Sequence, residues 1–143
     1  MPALWRKFPA AGLGILRVTA CRRHETGARG GMHNSQSSSV LEHAVCVVAL
    51  ARPLVEAIQR KDRDLASQLR RAISSIALNT AEGLGSAAGN ARLRFETARG
   101  SLKEAQAGIR VAVAWGYVSE VAAGPLLESM HVLGGRVFGL VRR

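Results

Sequence analysis

The stretch GLGSAA at residues 83–88 fits the Gly-x-Gly-x-x-Ala pattern of a dinucleotide-binding turn. In such a turn a strand leads into the glycines, and the pyrophosphate lies on the N-terminus of the helix that follows. The residues before Gly83 repeat at the helical spacing rather than the two-residue spacing of a strand, and no lysine follows as in a P-loop. We therefore interpret Gly83, Gly85 and Gly89 as a helix C-terminus and a loop, and expect no cofactor.

A polar row precedes these glycines and is the next candidate for chemistry. At about 100° per residue its members fall within a sector of about 80° on one helix. The row holds one carboxylate and neither histidine nor cysteine, so acid–base or nucleophilic catalysis lacks a partner group. We therefore predict that the protein is not an enzyme, and favour a hydrogen-bonded network that fixes helix register or a subunit contact. The predicted network consists of Gln68, Ser75, Asn79 and Glu82.

Histidines and cysteines give no metal-binding pattern. His43 and His131 each stand alone on a predicted helix, without a ligand partner four residues away, so no metal site is expected. Cys21 and Cys46 lie in different segments and form no CxxC pair, which predicts two free thiols in a reducing cytoplasm. No apolar run approaches the roughly eighteen residues of a membrane span, so no membrane partner is expected.

The apolar residues from Val40 onward recur every three or four positions, which predicts helices and no strand. Four such stripes follow one another with short connections, so the fold class is all-α. The predicted architecture is an antiparallel up-and-down four-helix bundle over residues 36–143. The core stripes run from Val40 to Ile58 with Val45 among them, from Leu65 to Ala77, from Phe95 to Val113 and from Leu126 to Val141.

Capping residues predict where these helices begin and end. Asp and Asn side chains accept hydrogen bonds from the first free backbone N–H groups, and glycine readily takes the left-handed conformation that ends a helix. The predicted signals are Asp62 or Asp64 and Asn90 as the N-caps of the second and third helices, Gly116 at the end of the third, and Ser119 or Pro125 at the start of the fourth.

The charge is strongly positive, with 20 Lys+Arg against 10 Asp+Glu and a formal net charge of +10. Such a balance predicts attraction to polyanions, nucleic acid first. Six of the basic residues and one acid lie in the first 31 residues, which show no sustained period. Residues 1–35 are therefore predicted to be a poorly ordered basic extension. The alternative is that residues 1–31 precede a true start at Met32. Their apolar patch is short and broken by glycines, which disfavours a signal peptide.

The third predicted helix carries a second stripe, the α3 basic row, beside its core face. The row consists of Arg92, Arg99, Lys103 and Arg110, which lie within about 40° of one another. It could follow a phosphate backbone, although Glu96 partly neutralises it and a merely solvated helix face remains the alternative. Arg70 and Arg71 on the second predicted helix could extend it, as could Arg136, Arg142 and Arg143 on the last. Aromatic residues make up 4% of the chain, so base stacking is not expected, and binding should be salt-sensitive and indifferent to sequence.

Five apolar residues lie off the core stripes of the third and fourth helices. Apolar groups in such places are either edges of the bundle or part of a subunit interface. The candidate interface residues are Leu93, Val111, Trp115, Leu127 and Phe138.

The segments QLRRAISSIALNTAEGLG, FETARGSLKEA and WGY, within residues 68–117, carry a resemblance. Together they resemble the bacterial four-helix-bundle family that includes the proteins encoded in intervening sequences of large-subunit ribosomal RNA genes and the accessory variability protein of diversity-generating retroelements. The resemblance extends over residues 40–142. It implies a ring-like homopentamer, a basic surface that binds RNA or DNA and, in the retroelement branch, a reverse transcriptase partner. It brings no catalytic residues.

We therefore expect a non-enzymatic, oligomeric accessory protein that binds nucleic acid through the α3 basic row. The alternative is a structural assembly module that binds a protein partner and has no nucleic-acid role.

Overall fold

The computed structural model describes residues 34–142, and the side chains of residues 39–142. These residues form four helices and contain no strand, as the apolar spacing predicts. The helices are α1 (Asn34–Gln59), α2 (Arg63–Gly85), α3 (Ala88–Ala114) and α4 (Glu120–Val141). Most of the predicted N-terminal extension lies outside the described residues, so that assignment stays a prediction.

Each helix packs mainly against two others. α2 packs against α1 and α3, and α4 packs against α3 and α1. The groove between α1 and α2 therefore lies on the opposite side of the bundle from the groove between α3 and α4. Residues that come later in α2 contact residues that come earlier in α3. These contacts are Gly83 with Phe95, Ser75 with Ser101, and Leu69 with Gly108.

The core consists of the apolar stripes of all four helices. The predicted core stripe of α3 is confirmed closely, since Val113 packs partly buried against the core and the six other residues of the stripe are buried. These six are Phe95, Ala98, Leu102, Ala105, Ile109 and Ala112. The prediction for Val45 on α1 is wrong, because 54% of this residue is exposed. Val47 and Ala51 are buried instead, since they continue the spacing of Ala44 whereas Val45 lies about 100° away around the helix.

The helix ends follow their capping chemistry at three of the four predicted places. Asp62 accepts a hydrogen bond from the Leu65 backbone N–H at 2.9 Å, and Ser119 similarly caps α4. Gly116 has φ of 70°, the left-handed conformation that glycine adopts most readily. The assignment of Asn90 is wrong, because α3 already begins at Ala88 after an N-cap, Ala87, that makes no side-chain hydrogen bond.

Gly83 lies inside α2 rather than in a loop. It is buried, and a Cβ atom built on it would lie 2.5 Å from Cε1 of Phe95. The glycine therefore allows the Phe95 ring of α3 to pack directly on the α2 backbone. Gly85 is the last residue of α2 and Gly89 lies in the first turn of α3. Gly83 and Gly85 thus belong to the C-terminal turn of α2, in agreement with the predicted helix C-terminus, whereas Gly89 lies in α3 and not in the predicted loop. The absence of a strand before them agrees with the rejection of a dinucleotide turn.

Cys46 on α1 is disulfide-bonded, which corrects the prediction of free thiols. Spacing along the sequence misses such a bond, because a disulfide requires only that two Cβ atoms come within about 4 Å in the folded chain. The cytoplasmic location loses this support and stays a prediction.

The Phe95–Gly83 contact predicts opposite effects for two glycine substitutions. Gly83→Ala should destabilise the fold by about 1–3 kcal/mol, because the new methyl group collides with the Phe95 ring. Gly100→Ala is the matched control, since nothing lies within 4 Å of a Cβ atom there. It should stabilise α3 by about 0.5–1 kcal/mol. Urea unfolding monitored by circular dichroism measures both, and equal effects of the two substitutions would contradict the contact.

Candidate nucleic-acid interface

The groove between α3 and α4 brings together an aromatic ring and two guanidinium groups. The guanidinium carbon of Arg99 lies 4.8 Å from the centroid of the Phe138 ring. That of Arg142, at the C-terminus of α4, lies 5.5 Å from the same centroid. These distances allow cation–π attraction. The sequence analysis assigned Arg99 to nucleic-acid binding and Phe138 to a subunit interface, whereas the structure places them in one cluster.

The α3 basic row is divided by its ion pairs. Arg92 donates to Glu96 at 3.2 Å, so its charge is compensated one turn away. Arg99, Lys103 and Arg110 form no ion pair with any acid of residues 39–142. We call these three residues, together with Arg142 from the end of α4 beside Phe138, the basic surface. It consists of Arg99, Lys103, Arg110 and Arg142.

Arg70 does not join this surface. Its guanidinium group donates a hydrogen bond to the Gln59 side chain, so it lies where α2 meets α1, on the opposite side of the bundle. Arg71 is exposed on α2. Arg70 therefore does not extend the α3 basic row within one chain, while the extension by Arg71 stays a prediction. Sequence spacing could not decide the point, because it gives the direction of a side chain around its own helix and not the neighbour it meets.

The predicted polar network is only partly assembled. Asn79 donates to the Ser75 backbone carbonyl at 2.9 Å and lies 3.0 Å from its hydroxyl oxygen. The Ser75 hydroxyl lies 2.8 Å from that of Ser101 on α3. Gln68 is exposed, and Glu82 instead pairs with Arg94 of α3 at 2.9 Å.

Ser101 and Arg94 were missed by sequence reasoning. Both lie on the side of α3 that faces α2, outside the core stripe and outside the α3 basic row. The sequence offered one indication for Ser101, namely that this polar residue directly precedes the predicted core residue Leu102. A polar side chain beside the core commonly forms a hydrogen bond to a neighbouring helix. These contacts join α2 to α3 and form no reactive group.

The candidate interface residues divide into three environments. Leu93, Val111 and Trp115 are exposed on α3, and Trp115 is 70% exposed. Leu127 is half-buried against the core, and Phe138 belongs to the cluster between α3 and α4. Four further apolar residues are exposed and were not predicted to lie at an interface. One of them, Val45, was predicted to lie in the core. The four are Val45, Leu78, Val121 and Val132.

His43 on α1 and Ser129 on α4 form a polar contact between these two helices. His43 Nε2 lies 3.0 Å from the Ser129 hydroxyl oxygen, a distance that suits a base and a nucleophile. However, Nδ1 is buried and has no hydrogen-bond partner within the described residues. No carboxylate orients the ring as in a catalytic triad. Burial, and secondarily the charge of Arg136, lower the pKa of His43.

An apolar cavity of about 390 Å³ lies between α1, the α3–α4 connection and the start of α4. Only Tyr117 and Ser119 bring polar side chains to it, and no charged residue lines it. The cavity thus lacks the convergent polar groups of a ligand site. No three potential metal ligands cluster within the described part of the chain. None of the four helices there is both long and apolar enough to cross a membrane.

The fold and this surface define a class: an all-α protein of four helices that carries a row of unpaired cations on one side of α3. A sequence model of the family described as 23S rRNA-intervening sequence protein matches residues 38–137. The chain belongs to this family, which confirms the resemblance drawn from its motifs. Neither the curated proteins nor the solved structures provide a significant match.

The lowered pKa of His43 predicts a pH-dependent stability. The folded chain binds this proton less readily than the unfolded chain, whose histidine pKa is about 6.5. The stability that the neutral His43 side chain contributes is therefore complete above that pH and is lost as pH falls below it. His43→Gln, which can still hydrogen-bond but cannot be protonated, should lose less stability than wild type between about pH 7.5 and 5.5.

Urea unfolding at the two pH values measures this difference. His131→Gln removes an exposed histidine of α4 and is the matched control. The predicted result is a wild-type pH response for His131→Gln and a weaker one for His43→Gln. Identical responses of the two variants would contradict the role of His43.

Proposed function

We propose that the protein is a non-enzymatic, oligomeric accessory factor that binds RNA or DNA through the basic surface. The observation that carries the proposal is the run of unpaired cations on one side of α3. Neighbouring arginines of the same helix are neutralised by Glu82 and Glu96, whereas Arg99, Lys103 and Arg110 are not. Membership of the 23S rRNA-intervening sequence protein family agrees with an accessory role.

The proposed mechanism is electrostatic. From Arg99 to Arg110 the helix rises about 16 Å, at 1.5 Å per residue. This length matches about five base-pair steps of a duplex. Cations that contact phosphates release condensed counterions, which favours binding at low salt and weakens it as salt rises. Contacts of this kind position a nucleic acid and do not read its sequence.

We further propose an antiparallel up-and-down bundle that assembles into a ring-like homopentamer in the cytoplasm. The reverse order of the α2–α3 contacts supports the antiparallel arrangement. Exposed Leu93, Val111 and Trp115 supply an apolar face for a head-to-tail contact, the type of interface that closes into rings. A ring would present several copies of the basic surface to one nucleic acid, so that individually weak phosphate contacts would give a high overall affinity.

A second candidate is a structural module that binds a protein partner, such as a reverse transcriptase. The exposure of Trp115 favours this candidate, because tryptophan is enriched among residues that dominate protein–protein binding. Its side chain stacks at 6.4 Å on Tyr117, which holds it in place. A protein partner and a nucleic acid would then occupy different sides of α3.

The proposal predicts that charge-reversing substitutions weaken nucleic-acid binding when they lie on the basic surface, and not in proportion to the change in net charge. Lys103→Glu with Arg110→Glu should nearly abolish binding of the purified protein to duplex RNA and DNA. The slope of log affinity against log salt should also become shallower by about one for each phosphate that the variant no longer neutralises. The control is Arg60→Glu with Arg63→Glu, which changes the net charge equally near the α1–α2 connection.

Fluorescence anisotropy across a salt series measures both variants, and light scattering checks that their mass is unchanged. If the two pairs weaken binding equally, only the overall charge matters and the basic surface is not the site. If wild type fails to bind at low salt while it still assembles, the protein-partner candidate replaces the nucleic-acid function.

Assembly is predicted to depend on the apolar residues exposed on α3. Leu93→Glu with Val111→Glu places two carboxylates on this face and should reduce the mass in solution to that of the 15.2 kDa chain. Assembly should be destabilised because the new carboxylates would have to be buried unpaired between subunits. Ser67→Glu, which adds charge on an exposed polar part of α2, should leave the mass unchanged. A wild type that is itself monomeric would exclude the assembly.

A further inference from the structure

The Phe138 cluster combines features that phosphate binding alone does not require. Phe138 is 42% exposed and lies outside the buried core stripe of α4. Both Arg99 and Arg142 hold their guanidinium carbons within 5.5 Å of the ring centroid. Neither arginine is paired with an acid of residues 39–142. An accessible aromatic ring is therefore surrounded by uncompensated positive charge.

This combination matches the chemistry of single-stranded nucleic-acid binding. Proteins of that kind pair an aromatic side chain, on which a base stacks, with basic groups that hold the backbone. Bases in a duplex are stacked on each other and cannot lie on a protein side chain, whereas bases of loops, bulges and ends can. Guanidinium groups can also stack on a base plane, so Arg99 and Arg142 can shift between the ring, a base and a phosphate.

We propose that Phe138, with Arg99 and Arg142, is a binding site for an unstacked base of single-stranded RNA or DNA. The inference rests on the proposed function and goes beyond it, because it adds base stacking to the electrostatic contact and predicts a preference for unpaired strands. It also revises the expectation drawn from the low aromatic content, since one exposed ring per subunit is enough to stack one base.

The test separates stacking from charge by comparing single strands of equal phosphate number, with a duplex as a ligand whose bases are already stacked. The purified full-length protein is titrated by fluorescence anisotropy against a short single-stranded RNA, the DNA strand of the same sequence, an abasic strand of the same length and a duplex. Wild type should bind the two base-containing single strands more tightly than the abasic strand. Phe138→Leu keeps an apolar side chain but removes the ring, and should weaken binding to those strands roughly five- to hundredfold.

The same variant should bind the abasic strand and the duplex as wild type does. Phe138→Trp should retain the preference for base-containing strands, because a larger aromatic ring still stacks. Lys103→Glu with Arg110→Glu provides the contrast, since loss of charge should weaken binding to all four ligands. Circular dichroism and light scattering establish that the Phe138 variants keep the wild-type fold and mass.

Four results would overturn the inference. Phe138→Leu could retain the wild-type preference for base-containing strands, or wild type could show no such preference. Either result excludes stacking and leaves the electrostatic function intact, provided that the abasic strand still binds. A reduced mass of Phe138→Leu, with equal loss for all four ligands, would instead assign the ring to a subunit interface. Failure of wild type to bind any of the strands at low salt would reject the proposed function itself.

Discussion

The close packing of α3 on α2 is the constraint on which the rest of the structure depends. At one end of this contact the Phe95 ring lies directly over Gly83, and towards the other end a leucine of α2 covers Gly108. Between them the hydroxyl groups of Ser75 and Ser101 meet at 2.8 Å. A shift of either helix along its axis would separate all three contacts at once. The two helices therefore have a single favourable register, because close-packed groups and a satisfied polar pair agree on it.

The position of α3 then decides what its other side meets. With one flank held against α2, the opposite flank faces α4, and this places Arg99 beside Phe138. The same arrangement puts Glu82 within reach of Arg94, which neutralises an arginine on the α2 side. On the other flank only Arg92 is paired, with Glu96, and Arg99, Lys103 and Arg110 keep their positive charge. The asymmetry of charge follows from packing rather than from composition.

The local arrangement of charge matters because the net charge of the described part is modest. Residues 34–142 contain thirteen lysines and arginines against nine acids, so much of the excess in the whole chain lies elsewhere. A weakly positive bundle attracts polyanions poorly unless its unpaired cations are grouped. Grouping on the basic surface meets this requirement, and repetition in an oligomer would strengthen it. Exposed apolar residues on α3 lie on a different sector of the helix, so assembly and binding need not compete.

The sequence by itself determined the four helices, most of their buried stripes, the Asp62 cap, the end at Gly116 and the family. These features are local, because a periodicity of 3.6 residues and a capping hydrogen bond depend on residues close together in the chain. Only the tertiary structure decided that Gly83 lies under Phe95, that Arg70 faces away from the α3 basic row, and that Phe138 joins Arg99. Helical periodicity gives the angle of a side chain about its own axis. Which neighbour occupies that direction depends on how the helices pack, and packing is settled by contacts between residues distant in sequence.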